Sequence, residues 1–133
     1  MRAGFLLPCL LLLAGCAAPA ACPPGLSRAV LATAYFGLGR RDAAPVPEAA
    51  WQAFLADTVT PAFPDGLTAW PAAGQWRSGA AILREESRVL FVVLPGATQA
   101  EAIARLAPVE AEWRRRQGQE SVLRVLSEGC AGF

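Results

Sequence analysis

From residue 28 to residue 127 the apolar positions switch between a period of two and a period near 3.6, and Gly, Pro and Asp mark the switches. Residues 28–38 alternate: Val30, Ala32, Ala34 and Phe36 fall on one face of a strand and Leu31, Thr33 and Tyr35 on the other, with Gly37 and Gly39 marking its end. Pro47 suits a first helical position, Trp51, Phe54, Leu55 and Val59 recur at helical spacing, and Pro61 closes that helix. The turn Pro64-Asp65-Gly66 leads into a second strand over 67–77, whose Pro71 and Gly74 predict an edge or a bulge, and Ser78-Gly79 turns the chain again. Residues 82–94 contain the unbroken apolar run Val89 to Leu94, the mark of a central strand buried on both faces.

Thr98 with Glu101 three residues on is a capping box. It opens a helix that carries Ile103, Leu106 and Trp113 on one face, is expected to kink at Pro108, and ends at Gly118. Residues 121–127 supply a last strand. The order βαββαβ predicts an α+β fold, a ferredoxin-like sandwich with an antiparallel sheet and two helices on one face; another α+β arrangement remains open.

The amino terminus reads differently. One positive charge at Arg2 precedes an apolar stretch from Phe5 to Ala14, long enough for a signal peptide and too short to span a bilayer. Leu13-Ala14-Gly15-Cys16 follows it directly and has the form of a lipobox, so residues 1–15 are expected to be removed and Cys16 lipidated. The alternative is ordinary cleavage after Ala18-Pro19-Ala20, which leaves a free protein. A diacylglycerol thioether plus an amide-linked acyl chain would hold the protein lastingly on a membrane. Residues 16–27 then form a Pro/Ala-rich tether to a single domain over 28–133. Ala17 is not the Asp that retains lipoproteins at the inner membrane, which favours the periplasmic side of the outer membrane.

That destination changes what the cysteines can do. Cys9 leaves with the signal and Cys16 takes lipid, so Cys22 and Cys130 are the one pair left for a disulfide in an oxidising compartment; otherwise Cys22 stays in the tether and Cys130 is buried near Phe133. Every basic residue is Arg, and the chain past the signal carries eleven of them against eleven acidic residues, a balance that favours no nucleic acid. With neither His nor Lys, a Ser-His or Cys-His nucleophile, an HExxH zinc site, a Schiff base and a P-loop are all excluded. No metal set or cofactor motif stands out: Asp65-Gly66 is explained by a turn, and Gly37-Leu38-Gly39-Arg40 lacks the third glycine of a dinucleotide loop.

In the expected sheet the ends of strands one and two and the starts of strands three and four share one edge. Tyr35, Arg40, Gln75, Trp76, Arg77, Arg84, Glu85, Gln119 and Glu120 collect there as candidate ligand-binding residues. Two arginines could hold an anionic small ligand, with Glu85 or Glu120 as acid or base and Trp76 as a stacking wall. Alternatively Arg77, Arg84, Glu85 and Glu120 form cross-strand ion pairs that cap the sheet.

Five segments in this order, Tyr35-Phe36-Gly37-Leu38, Trp51-Gln52-Ala53-Phe54, the run from Thr60 to Thr68, Gly74-Gln75-Trp76-Arg77 and Gln119-Glu120-Ser121-Val122, resemble a bacterial family of secreted proteins and lipoproteins catalogued as a domain of unknown function. The resemblance runs over about residues 30–133 and implies no activity; Val46 and Gln117 depart from its pattern, where a capping Ser or Thr and an aromatic residue are expected. The leading expectation is a membrane-anchored module that binds a small ligand or an envelope protein, with the open sheet face as platform or homodimer surface. A cofactor-independent enzyme using Glu and Arg on an acidic small molecule, and a structural subunit, are the alternatives.

Overall fold

The computed structural model describes residues 21–40 and 43–132. The signal peptide, Cys16 and the first part of the tether lie outside the described residues. Strand β1 (Ser27–Gly37) is followed by α1 (Glu48–Phe54), which runs on through a π-helical turn (Leu55–Val59) into the single turn α2 (Thr60–Ala62); then come β2 (Thr68–Ser78), β3 (Ala81–Pro95), α3 (Gln99–Gln117) and β4 (Leu123–Ala131). The strands form one antiparallel sheet in the order β2-β3-β1-β4. This is the α+β, ferredoxin-like arrangement that the element order predicts.

Strand parity decides what each side of the sheet meets. Val30, Ala32, Ala34 and Phe36 face Leu94, Val92, Leu90 and Arg88 across the β1–β3 ladder, and the apolar members of both sets are buried beneath the helices. At the centre Phe36, Trp51, Phe54 and Trp113 interlock, with ring centroids 4.8–5.8 Å apart. Such pairs contribute about 0.5–1.5 kcal/mol each beyond the area they bury.

The helices follow their local chemistry. In α3 the Thr98 hydroxyl accepts from the Glu101 amide at 3.2 Å while the Glu101 carboxylate accepts from the Thr98 amide at 2.7 Å, and Gly118 caps the other end in the left-handed conformation (φ 68°). The buried stripe is Ala102, Leu106, Val109 and Trp113; Ile103, expected on it, is 43% exposed. Pro108 lies inside an unbroken helix, on its exposed side, where water can satisfy the Ala104 carbonyl that has lost its donor. Pro61 likewise offers no N–H to the Asp57 carbonyl and crowds it, which accounts for the wide π turn just before it.

Cys22 and Cys130 are bonded, 108 residues apart. Closing so long a loop removes unfolded-state entropy worth about 4–5 kcal/mol in the chain-entropy model. The bond also explains a difference at the carboxyl terminus: β4 begins two residues later than expected and continues through Ser127-Glu128-Gly129 to Ala131, each residue held in register against β1 from Tyr35 back to Ser27. Local sequence there resembles a loop; the β1 partner and the staple make it a strand.

Candidate functional site

Because β1 and β2 both run opposite to β3, and β4 runs opposite to β1, the ends of the first two strands and the starts of the other two meet at one end of the sheet. The β2–β3 hairpin projects beyond that end: β1 stops pairing at Gly37–Ser87, whereas the β2–β3 ladder continues to Ser78–Ala81. A groove of about 920 Å³ lies along the step so formed.

Small residues make the floor. Gly74 stands opposite Glu85, and Gly37 stands opposite Ser87. Trp76 opposite Leu83 bounds the outer end, and Tyr35 beside Leu123 bounds the inner end. The six-residue step along β3 between these two boundaries measures about 20 Å.

Glu85 sits in the middle and is fixed by backbone. Its Oε1 accepts from the Gly39 amide at 2.7 Å, the Gly39 carbonyl accepts from the Gln119 side-chain amide, and Arg40 donates to the Gln117 side-chain oxygen. The Gly-x-Gly pattern at 37–39 thus has a steric cause. A Cβ on Gly39 would lie 2.8 Å from the Glu85 carboxylate, and one on Gly37 would be closer still. One carboxylate oxygen is positioned in this way, and the other keeps its lone pairs for a donor brought by a ligand.

Seven of the nine sequence candidates line this groove: Tyr35, Arg40, Trp76, Arg84, Glu85, Gln119 and Glu120. Gln75 and Arg77 do not. They have the opposite strand parity to Trp76, on the other side of the hairpin; Arg84 shares their parity and borders the groove along β3, with its side chain starting on the side away from Glu85. The cross-strand ion pairs weighed for this end are not what holds Arg77, Arg84 or Glu85: among the described residues neither arginine has a carboxylate partner, and Glu85 is bonded to a peptide N–H.

Sequence reasoning missed Leu83, Ser87 and Leu123 in the lining and Gln117 as the partner of Arg40. The signal that could have found the neighbourhood is the Gly37-Leu38-Gly39 pair of glycines, read as a close approach rather than as a fragment of a nucleotide loop. Among the described residues no three side chains of metal-ligating type come together.

The fold is shared with solved structures of a phage SAM lyase. The complex with S-methyl-5'-thioadenosine superposes with a TM-score of 0.57 at 15% identity over 79% of this chain and 90% of that one. The apo form gives 0.56 at 15% identity over 87% and 97%. At that identity the likeness is one of fold. No curated protein matches the chain by sequence. One family model does, over residues 32–133, more than half of the chain, and it covers the groove, the helices and all of the strands except the first five residues of β1. The chain belongs to that family, DUF3574, described as a protein of unknown function.

Proposed function

We propose that this protein is a lipid-anchored envelope protein, probed by the compartment through its groove, which binds a small ligand bearing an anionic group and a flat or apolar part. The observation that carries this reading is the backbone-fixed Glu85 carboxylate in a groove that Arg40 also lines, between the aromatic boundaries Trp76 and Tyr35. Arg40, which gives one nitrogen to Gln117, suits an anion through its other donors; Glu85 suits a hydroxyl or amine donor; the rings suit a planar group. The volume is of the size that ligand sites have, about 300–1,000 Å³. That the similarly folded phage enzyme is solved with S-methyl-5'-thioadenosine supports the reading by analogy of fold.

The full-length chain, purified from membranes in detergent, is titrated with adenosine 5'-monophosphate, a sugar phosphate, a dicarboxylate and the uncharged S-methyl-5'-thioadenosine, following tryptophan fluorescence and melting temperature. At least one anionic compound is expected to bind, and Arg40→Ala to erase the response. Silence across the panel overturns the reading, and conversion of a bound compound, seen by mass spectrometry, replaces it with the enzymatic one. Anchoring is tested separately: Cys16→Ser is expected to abolish palmitate labelling and release the protein from the membrane fraction.

A further inference from the structure

The open side of the sheet is nearly free of charge. Trp70, Val89, Tyr35 and Leu123 form one continuous row across all four strands, and Phe91, Thr33 and Val125 form the next. Among strand positions of this parity Glu85 alone is ionisable to a carboxylate or cation; Arg28, Arg77, Arg84, Glu86, Arg88, Arg124 and Glu128 all have the other parity. Trp70 is 43%, Val125 48% and Leu123 61% exposed. Isolated apolar side chains on a surface mean little, but a contiguous patch of this kind marks an interface.

We infer that a second copy of this chain docks face to face on this surface and supplies the wall that the groove lacks on its open side. Four strands at about 4.8 Å spacing and about 30 Å of strand give roughly 600 Å² in projection, and more as accessible area. A standard interface needs about 800 Å² per partner. A two-fold contact sets a surface against itself, so a charged patch would repel its own copy, while an uncharged one is self-compatible. A partner chosen by charge would find nothing on these rows to read.

The anchoring reading fixes the axis, and the inference rests on it to that extent. Two copies held in one membrane present their tethers on the same side, so the two-fold runs parallel to the strands. Each row then meets its own copy, and groove faces groove across the row of Tyr35 and Leu123, which line the groove and belong to the open face.

The test uses the full chain in its native membrane with a photo-crosslinking p-benzoylphenylalanine at Leu123, and a control at Ala104 on the exposed side of α3. Illumination is expected to give an adduct of twice the mass, identified as self-linked by mass spectrometry, from position 123 only. Thr33→Glu, at the centre of the face, and Val125→Glu, at an already exposed position that needs no repacking, should each abolish the adduct and weaken ligand binding in the groove by about tenfold. An adduct with a protein of another mass, or no adduct, overturns the inference. So does ligand binding untouched by either substitution. If the adduct fails while Arg40→Ala still erases ligand binding, the second copy is refuted and the ligand site stands; if ligand binding fails while the adduct forms, the reverse holds.

Discussion

On the helix-covered side of the sheet Val30, Ala32, Ala34 and Phe36 press into a sealed layer, and charged side chains at its rim fasten the helices down. Arg88 pairs with Glu48 at 2.6 Å, Arg116 with Asp57 at 2.8 Å, and Arg124 with Glu110 at 3.0 Å. On the open side, one residue further along each strand, Leu31, Thr33 and Tyr35 have no helix layer above them among the described residues, and Glu85 is tied to a peptide N–H rather than to an arginine. Arg88 and Arg124 of the strands thus act as fasteners on one side, while the other side is bare of charge except at the groove. The difference teaches where function can be sought: side chains on the covered side are committed to holding the fold, whereas those on the open side are still available to a ligand or partner.

Two tryptophans give that comparison its hardest test. Trp113 is fully buried among Phe36, Trp51 and Phe54, with its indole N–H unpartnered among the described residues, while Trp70 lies on the open face. Trp113→Ala should cost about 3–5 kcal/mol, through lost burial and the cavity left behind. Trp70→Ala should cost about 1 kcal/mol or less. Denaturant unfolding of the two variants measures both, and equal losses would show that the open face is as covered as the other.

The alternation that separates the faces was legible in residues 28–38 and in the run from Val89 to Leu94, because buried strands leave a period-two or continuous apolar trace. The capping box at Thr98 and the stop at Gly118 were legible for the same local reason. The course of β4 past Ser127 was not, since pairing with β1 and a staple 108 residues away in sequence decide it. Nor was the exclusion of Gln75 and Arg77 from the groove. Residues 74–77 of β2 all read as one polar strand end, and which parity faces the groove depends on a ladder register that no local pattern encodes. Ile103 misled in a similar way: it sits next to the true stripe, and only the packing against β1 selects Ala102 instead.

The groove itself is sharpened by a pair of small changes. Glu85→Gln keeps the shape and removes the charge, so ligand binding should fall about tenfold, near 1.4 kcal/mol, with the unfolding midpoint almost unmoved. Gly39→Ala acts on the same carboxylate from the other side. Its Cβ would meet Oε1, Cδ and Cγ of Glu85 at 2.8, 3.0 and 3.2 Å, so the flexible side chain must swing away and give up the Gly39 amide. About 1 kcal/mol of stability should go with that hydrogen bond, and ligand binding should weaken as in Glu85→Gln. Calorimetric titration of both variants decides the point; a Gly39→Ala protein that binds normally would mean that the fixed position of Glu85 is irrelevant to the ligand.

Acid offers the gentlest way to pull the two sides apart. On the covered side the Arg115 and Arg116 guanidiniums hydrogen-bonded to Glu112 hold its carboxyl down to about 2 from 4.5, and Arg116 and Thr58 lower Asp57 in the same way. A carboxyl lowered in the folded state contributes stability that is complete above its unfolded value, so the network should be intact above about pH 4.5 and lost progressively as pH falls toward 2. These groups are exposed and screened, so the effect is small and shrinks further in salt. Melting temperature should therefore drop between pH 6 and pH 3 in low salt, and Glu112→Gln should flatten that drop because the substituted side chain has no proton to take up. Parallel pH profiles for the parent and the variant would show that the Arg115–Glu112–Arg116–Asp57 chain decorates the helices without fastening them. The outer face of α3 would then be held by its buried side, Leu106, Val109 and Trp113 packed on Phe36 and Phe54, and charge there would mark the covered side by placement and not by energy.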